Sequence, residues 1–146
     1  MHSVSVILIS AYLVTLALVV PAEETDSQDV RYVEECNLEQ NFSDFPYTLE
    51  MLNASIVPKS IAEACITDCY FFKRGQIVEK IHPTFVQYMF APPPLEDSIY
   101  GPGFKNMTKG QAKAVNHCMK FVSDLTLEKC YLIYELRFCL YMELYY

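Results

Sequence analysis

Residues 60–75 read SIAEACITDCYFFKRG, and the fold turns on them. Ser60 and Glu63 have the spacing of a capping box, in which each side chain satisfies a backbone N–H that the first helical turn leaves unpaired. Ile61, Cys65, Cys69 and Phe72 then fall at i, i+4, i+8 and i+11, one stripe of a helix. Lys73 and Arg74 sit in the last turn, where cations meet the negative end of the helix dipole, and Gly75 is a natural residue just past the end. Cys65 and Cys69 are one turn apart with parallel Cβ vectors, so they cannot bridge each other. Each must reach another element. The stretch therefore predicts a helix pinned twice to its surroundings.

Further helices are predicted on either side. Thr25-x-x-Gln28 opens a first helix to about Gln40, with Val30, Val33 and Cys36 inward. A short turn of helix fits Tyr47 to Leu52 after Pro46. Pro83 suits the first position of a short helix that holds Phe85, Val86, Met89 and Phe90. Ala91-Pro92-Pro93-Pro94 ends it, and residues 91–105 read as the longest and most mobile loop. Thr108-x-x-Gln111 opens a helix with Gln111, Val115, Cys118, Met119 and Val122 inside and Lys113, His117, Lys120 and Asp124 outside. A last helix is expected from near Thr126 to residue 143, apolar on most sides except for Glu128, Glu135 and Glu143. Such a helix belongs at the centre of a bundle. No sustained period-2 alternation signals a strand.

The chain has 146 residues, six cysteines and a formal net charge of −7. Residues 1–22 contain no Asp, Glu, Lys or Arg. Val4 to Val20 is an apolar run, and Val20-Pro21-Ala22 supplies small residues at −3 and −1. Residues 1–22 thus read as a secretory signal peptide and residues 23–146 as a single domain. No later run is long and apolar enough to span a membrane. An acidic chain of this kind lacks the clustered Lys and Arg that nucleic acid requires. Sequons at Asn41, Asn53 and Asn106 are candidate glycosylation sites of an exported chain.

The cysteines are Cys36, Cys65, Cys69, Cys118, Cys130 and Cys139, with 28, 3, 48, 11 and 8 residues between them. Cys130 and Cys139 would lie about 13 Å apart along one helix, too far to bridge. Excluding that pair and Cys65–Cys69 reduces the fifteen pairings to ten, and residue geometry goes no further. The spacing resembles that of the insect odorant-binding protein family, small secreted six-helix carriers. The intervals of three and eight residues are its rigid parts. The interval of 48 is longer than usual, and its extra residues fall in the Pro/Gly loop. The resemblance implies an all-α fold, a compact bundle of about six helices stapled by three disulfides around an internal hydrophobic cavity. It implies the bridges Cys36–Cys69, Cys65–Cys130 and Cys118–Cys139.

No catalytic constellation accompanies the cysteines. There is no G-x-S-x-G, H-E-x-x-H or P-loop motif, and no C-x-x-C pair that would suggest zinc. His117 shares the outer stripe of its helix with Lys113, Lys120 and Asp124, as a solvated histidine would. His82 precedes Pro83 at an element boundary. The expectation is a protein without cofactor, metal or enzymatic activity. Aromatic and methionine side chains are abundant, with eleven Tyr, nine Phe, six Met and no Trp. Most must fill a core, and some can line a ligand cavity. By the resemblance, lining residues lie between the second and third cysteines, after the third and around the sixth, which are Thr67, Phe72 and Leu136. The short tail, with Tyr141 and Tyr146, would wall the pocket. Phe85, Met89, Val115, Met119, Val122 and Tyr134 complete the expected lining. The implied function is a secreted, extracellular carrier of small hydrophobic molecules such as odorants or pheromones. It would be a monomer or weak dimer, with a membrane chemoreceptor as a further partner. The alternative on the same scaffold is a secreted interaction protein of reproductive, salivary or immune fluid.

Overall fold

The computed structural model describes residues 27–42 and 44–146. The expected signal peptide, the Thr25 cap and Ser43 of the first sequon lie outside the described residues. Among the described residues the chain is mostly helical. Helix α1 covers residues 27–39, followed by α2 (Leu49–Ala54) and α3 (Ile61–Lys73). Strands β1 (Ile77–Ile81) and β2 (Val86–Phe90) come next, then a 3-10 turn at Asp97–Tyr100, α4 (Lys109–Ser123) and α5 (Leu132–Tyr145).

Helix α3 forms as its ends dictate. Ser60 Oγ accepts from Glu63 N–H at 3.1 Å, while Glu63 reaches back to Lys59 N–H at 2.8 Å. At the other end Gly75 has φ +75°, Gly75 N–H donates to Phe72 O, and Gln76 N–H donates to Phe71 O. This is a Schellman closure, which needs the left-handed conformation that glycine adopts without strain. All residues from Glu63 to Phe71 are buried, so α3 is the central helix. The Thr108–Gln111 capping box of α4 is complete.

The three bridges are Cys36–Cys69, Cys65–Cys130 and Cys118–Cys139, the set that the family spacing implied. They join α3 to α1, α3 to the start of α5, and α4 to α5. Each contributes about 2–4 kcal/mol by restricting the unfolded chain.

Four expectations are corrected. The segment from Pro83 to Phe90 is not a helix. It forms an antiparallel hairpin with β1, in register from Ile77↔Phe90 to Ile81↔Val86, closed by a His82 N–H to Phe85 O bond of 2.9 Å. Ile77, Val78, Ile81 and Val86 favour extended backbone. The alternation is missing because only Ile77 is fully buried in the two strands. The last helix starts at Leu132, six residues beyond Thr126, because Cys130 has φ +86° and breaks the helical path. It is also not central. Leu132, Ile133, Leu136, Arg137 and Leu140 face the core, while Tyr131, Phe138, Met142 and Tyr145 stay exposed. The 91–105 segment is not a loose loop either, since Ile99, Tyr100 and Phe104 are buried in the core.

Two buried charges explain the start of α5 and the anchoring of the 91–105 segment. Tyr131, at the N-cap of α5, makes no side-chain cap bond. The cap comes from α3: Asp68 accepts from the N–H groups of Cys130 (3.0 Å), Leu132 (3.2 Å) and Ile133 (3.0 Å). A carboxylate there satisfies orphan donors and meets the positive end of the helix dipole. Burial nevertheless pushes its pKa up to about 6, against the pull of those amides. Arg137, 1% exposed, donates to four backbone carbonyls: Nε to Ile99 (3.2 Å), Nη1 to Leu52 (3.0 Å) and Ser55 (2.9 Å), and Nη2 to Ser98 (2.9 Å). It thereby anchors the end of α2 and the 3-10 turn to α5. Gly101, with φ +101°, passes so close that a Cβ would sit 3.6 Å from Arg137 Nε. Nearer the surface Arg74 pairs with Asp29 and Glu96, and Lys73 with Glu35 and Glu39.

Arg137→Met keeps most of the volume but takes the buried guanidinium away from four carbonyls, of which Ser98 O retains the Gly101 N–H. It is expected to destabilise the fold by about 3–5 kcal/mol in urea unfolding, with Arg137→Lys recovering only part because it lacks the planar fork.

The Asp68 pKa, raised to about 6 from 3.8, means that the native state holds this proton more tightly than the unfolded chain does. Its effect on stability is most favourable below pH 4 and is lost as pH rises through 6. Acidification from about pH 7.5 to 5 should therefore add on the order of 1 kcal/mol through this group. Asp68→Asn should be less stable throughout and should lack that increment, as read from urea midpoints at both pH values.

Candidate functional site

The described residues form grooves at the borders between elements, and the expected lining residues are dispersed among them. One groove of about 260 Å³ lies between β2 and the facing ends of α4 and α5. Its walls are Gln87 to Pro93 on one side and Met119, Val122, Ser123, Leu125 and Leu132 on the other. Met89, Met119 and Val122, three of the expected residues, come together here. The groove depends on the hairpin. Tyr88 N–H donates to Leu127 O at 3.4 Å, and Ala91 N–H donates to Gln76 O at 2.9 Å, which holds β2 against the α4–α5 connection and closes the hairpin base. Pro92 and Pro93 stiffen the rim because their φ is fixed.

The polar groups of this groove are few. Gln87 is occupied by His82 Nε2 at 3.1 Å. Ser123 Oγ donates to Lys120 O at 2.8 Å. Tyr88, on the wall, has its hydroxyl pKa raised, chiefly by burial and then by the Glu79 carboxylate. Tyr88 is thus a neutral phenol at neutral pH, and the wall carries no charged side chain. Such a surface can bury apolar groups.

The other expected residues lie elsewhere. Tyr134 lines a groove of about 360 Å³ with Pro58, Lys59, Ser60, Ile61, Ala64, Cys130 and Tyr131. Phe72 lines a more polar recess of about 140 Å³ with Glu39, Lys73, Glu79, Tyr88 and Lys129. Tyr141 borders a recess of about 80 Å³ with Tyr100, Phe104 and Arg137. Thr67, Val115 and Leu136 are buried in the helical packing, and Thr67 Oγ1 donates to Glu63 O at 2.7 Å. Phe85 stacks on His82 at the tip of the hairpin. Tyr146 is exposed and packs its ring edge on Tyr141. Phe90, Leu125 and Leu132 belong to the hairpin groove and escaped the sequence reading. The β-branched run at 77–78 and 86 was the signal that could have found them.

All six cysteines are in bridges. Among the described residues no group of three or more His, Cys, Asp and Glu could hold a metal ion, and no helix is long and apolar enough to cross a membrane. His117 is exposed and lies 3.3 Å from Glu143. Asn106 is exposed on the approach to α4 and Asn41 at the end of α1, whereas Asn53 Oδ1 is buried without a hydrogen-bond partner. The chain matches no protein-family model, no curated protein and no solved structure.

Proposed function

We propose that the protein is a secreted carrier that binds small hydrophobic molecules, without covalent chemistry, in the groove between the hairpin and the α4–α5 corner. The observation that carries this reading is the meeting of Met89, Met119 and Val122 with Phe90, Leu125 and Leu132 in one uncharged groove. Three disulfides and the charge-free apolar leader at residues 1–22 support export. The cysteine spacing and the bridge pattern keep the resemblance to insect odorant-binding proteins in force for the carrier class.

At about 260 Å³ the groove is just below the ~300–1,000 Å³ usual for drug-sized ligands, so the ligand is smaller than those. Burying about 300 Å² of its apolar surface at ~25 cal/mol per Å² contributes about 7 kcal/mol before ordering costs, which corresponds to binding weaker than micromolar. Methionines on both walls adapt to different shapes, so breadth is expected over strict selectivity. The second reading, a secreted interaction protein, is favoured by the exposed aromatic face of α5.

The test is titration of the refolded protein with a naphthylamine-type fluorescent probe and displacement by small terpenoids and aliphatic alcohols. Saturable, displaceable binding is expected. Met119→Trp fills the groove and should weaken the probe roughly tenfold or more. It also supplies the only indole of a Trp-free chain as a fluorescence reporter. Ile61→Ala, in the other groove, should leave probe affinity unchanged. An unsaturable signal, or equal affinity in wild type and Met119→Trp, would overturn the proposal.

A further inference from the structure

The face of α5 opposite the core carries an ordered aromatic seam. Tyr131, Phe138 and Tyr145 recur at seven-residue intervals, and Tyr134 and Tyr141 recur at seven between them. In heptad terms these are consecutive a and d positions, the pattern by which one helix packs along another. Tyr131, Phe138 and Tyr145 are 42%, 41% and 68% exposed, although a seam of this kind is normally buried. The rings are already ordered against each other. Tyr134 stacks on Phe138 at 5.9 Å with an interplanar angle of 4°, and Tyr141 packs on Tyr145 at 5.3 Å. Fixing them on binding therefore costs little further side-chain entropy.

The two ends of the seam are complementary. At the N-terminal end Tyr131 and Tyr134 form one wall of the 360 Å³ groove that Ile61 and Lys59 share. At the C-terminal end Tyr145 projects into solvent. Tyr131 and Tyr145 lie seven residues on either side of Phe138. An antiparallel pair of α5 helices with Phe138 at the twofold axis places each Tyr145 against the groove of the other copy. A knob and its hole at opposite ends of one self-complementary stripe produce a closed, isologous contact.

We propose that this face is a homodimer interface in which two copies pair α5 antiparallel across Phe138. Area supports a weak dimer. Aromatic side chains carry about 150–250 Å² each, so the seam residues at these exposures, with Ile61 and Met142, present on the order of 600 Å² per copy. The pair would bury about 1,200 Å², the lower edge of specific interfaces. Charge does not obstruct the contact locally. Glu135, which flanks the seam, falls beside Met142 of the second copy and not beside another acid. A lipid surface would not require a 3.5-residue period, and the seam itself carries no Lys or Arg to engage anionic headgroups. The net charge of −7 on each copy opposes association at long range, so added salt strengthens it.

Sedimentation velocity from about 5 to about 500 µM protein tests this, because an interface of this size dissociates in that range. The expected result is a reversible monomer–dimer equilibrium that tightens between low and moderate salt. Phe138→Asp sets two carboxylates at the axis and should weaken it roughly tenfold or more, with circular dichroism and the absence of free thiols confirming the fold. Independently of that variant, a benzophenone side chain at position 145 should cross-link to the other copy within residues 58–64 or 130–134. A monomer throughout the range, a dimer indifferent to Phe138→Asp, or cross-links between the two positions 145 would each overturn the proposal.

Discussion

A guanidinium buried in the packing holds this molecule together. Arg137 sits inside the packing and has no carboxylate in contact, so its charge is balanced by four backbone carbonyls. Those carbonyls come from the end of α2 and from the 3-10 turn, so one side chain ties two separate segments to α5. A buried cation is costly, and burial pulls its pKa down to about 10, yet it keeps its proton at neutral pH. The consequence is that the long Pro/Gly segment is anchored to α5. Without Arg137 the carbonyls of Leu52, Ser55 and Ile99 would lose their buried side-chain donor, and Ser98 O would keep only the Gly101 N–H.

Asp68 does the complementary task at the N-terminus of α5. It lies between Cys65 and Cys69 in register and caps a helix 62 or more residues away. The Cys65–Cys130 bridge and the Asp68 cap act on the same junction, which is why Cys130 can remain in the left-handed region that a non-glycine residue rarely occupies. The first two turns of α5 are thus positioned by buried polar groups. The apolar side chains of α5 are in excess of what the core needs, and the surplus faces outward as the aromatic seam.

The hairpin decides where the apolar groove lies. A helix at residues 83–90 would have pointed Phe85, Met89 and Phe90 according to a 3.6-residue period. The strand instead lays Gln87 to Phe90 along the border with α4 and leaves Phe85 at the tip on His82. Met119 and Val122 were legible because α4 has a clean amphipathic pattern, with charged residues on one side and cysteine, valine and methionine on the other. Leu125 and Leu132 were not, because they acquire a shared wall only when the α4–α5 connection folds back against β2. Thr67 and Leu136 show the opposite failure: their spacing relative to the cysteines implied a lining role, but the centre of the bundle is filled by the side chains around them.

By itself the sequence determined the elements whose signals are local. Caps at Ser60 and Thr108, the glycine stop at Gly75 and the stripes of α3 and α4 depend on neighbours within one or two turns. The cysteine pattern resolved into its three bridges through resemblance to a known spacing, since helix geometry left ten choices. Only the tertiary structure decided the hairpin, the start and outward face of α5, and the groove. Short strands buried at a single position carry no periodic signal. The start of α5 is set by a carboxylate from another helix and a bridge spanning 65 residues, and the anchor of the 91–105 segment is an arginine nearly 40 residues away. Long-range polar contacts of that kind leave no trace in any window of the chain that contains only one of the partners.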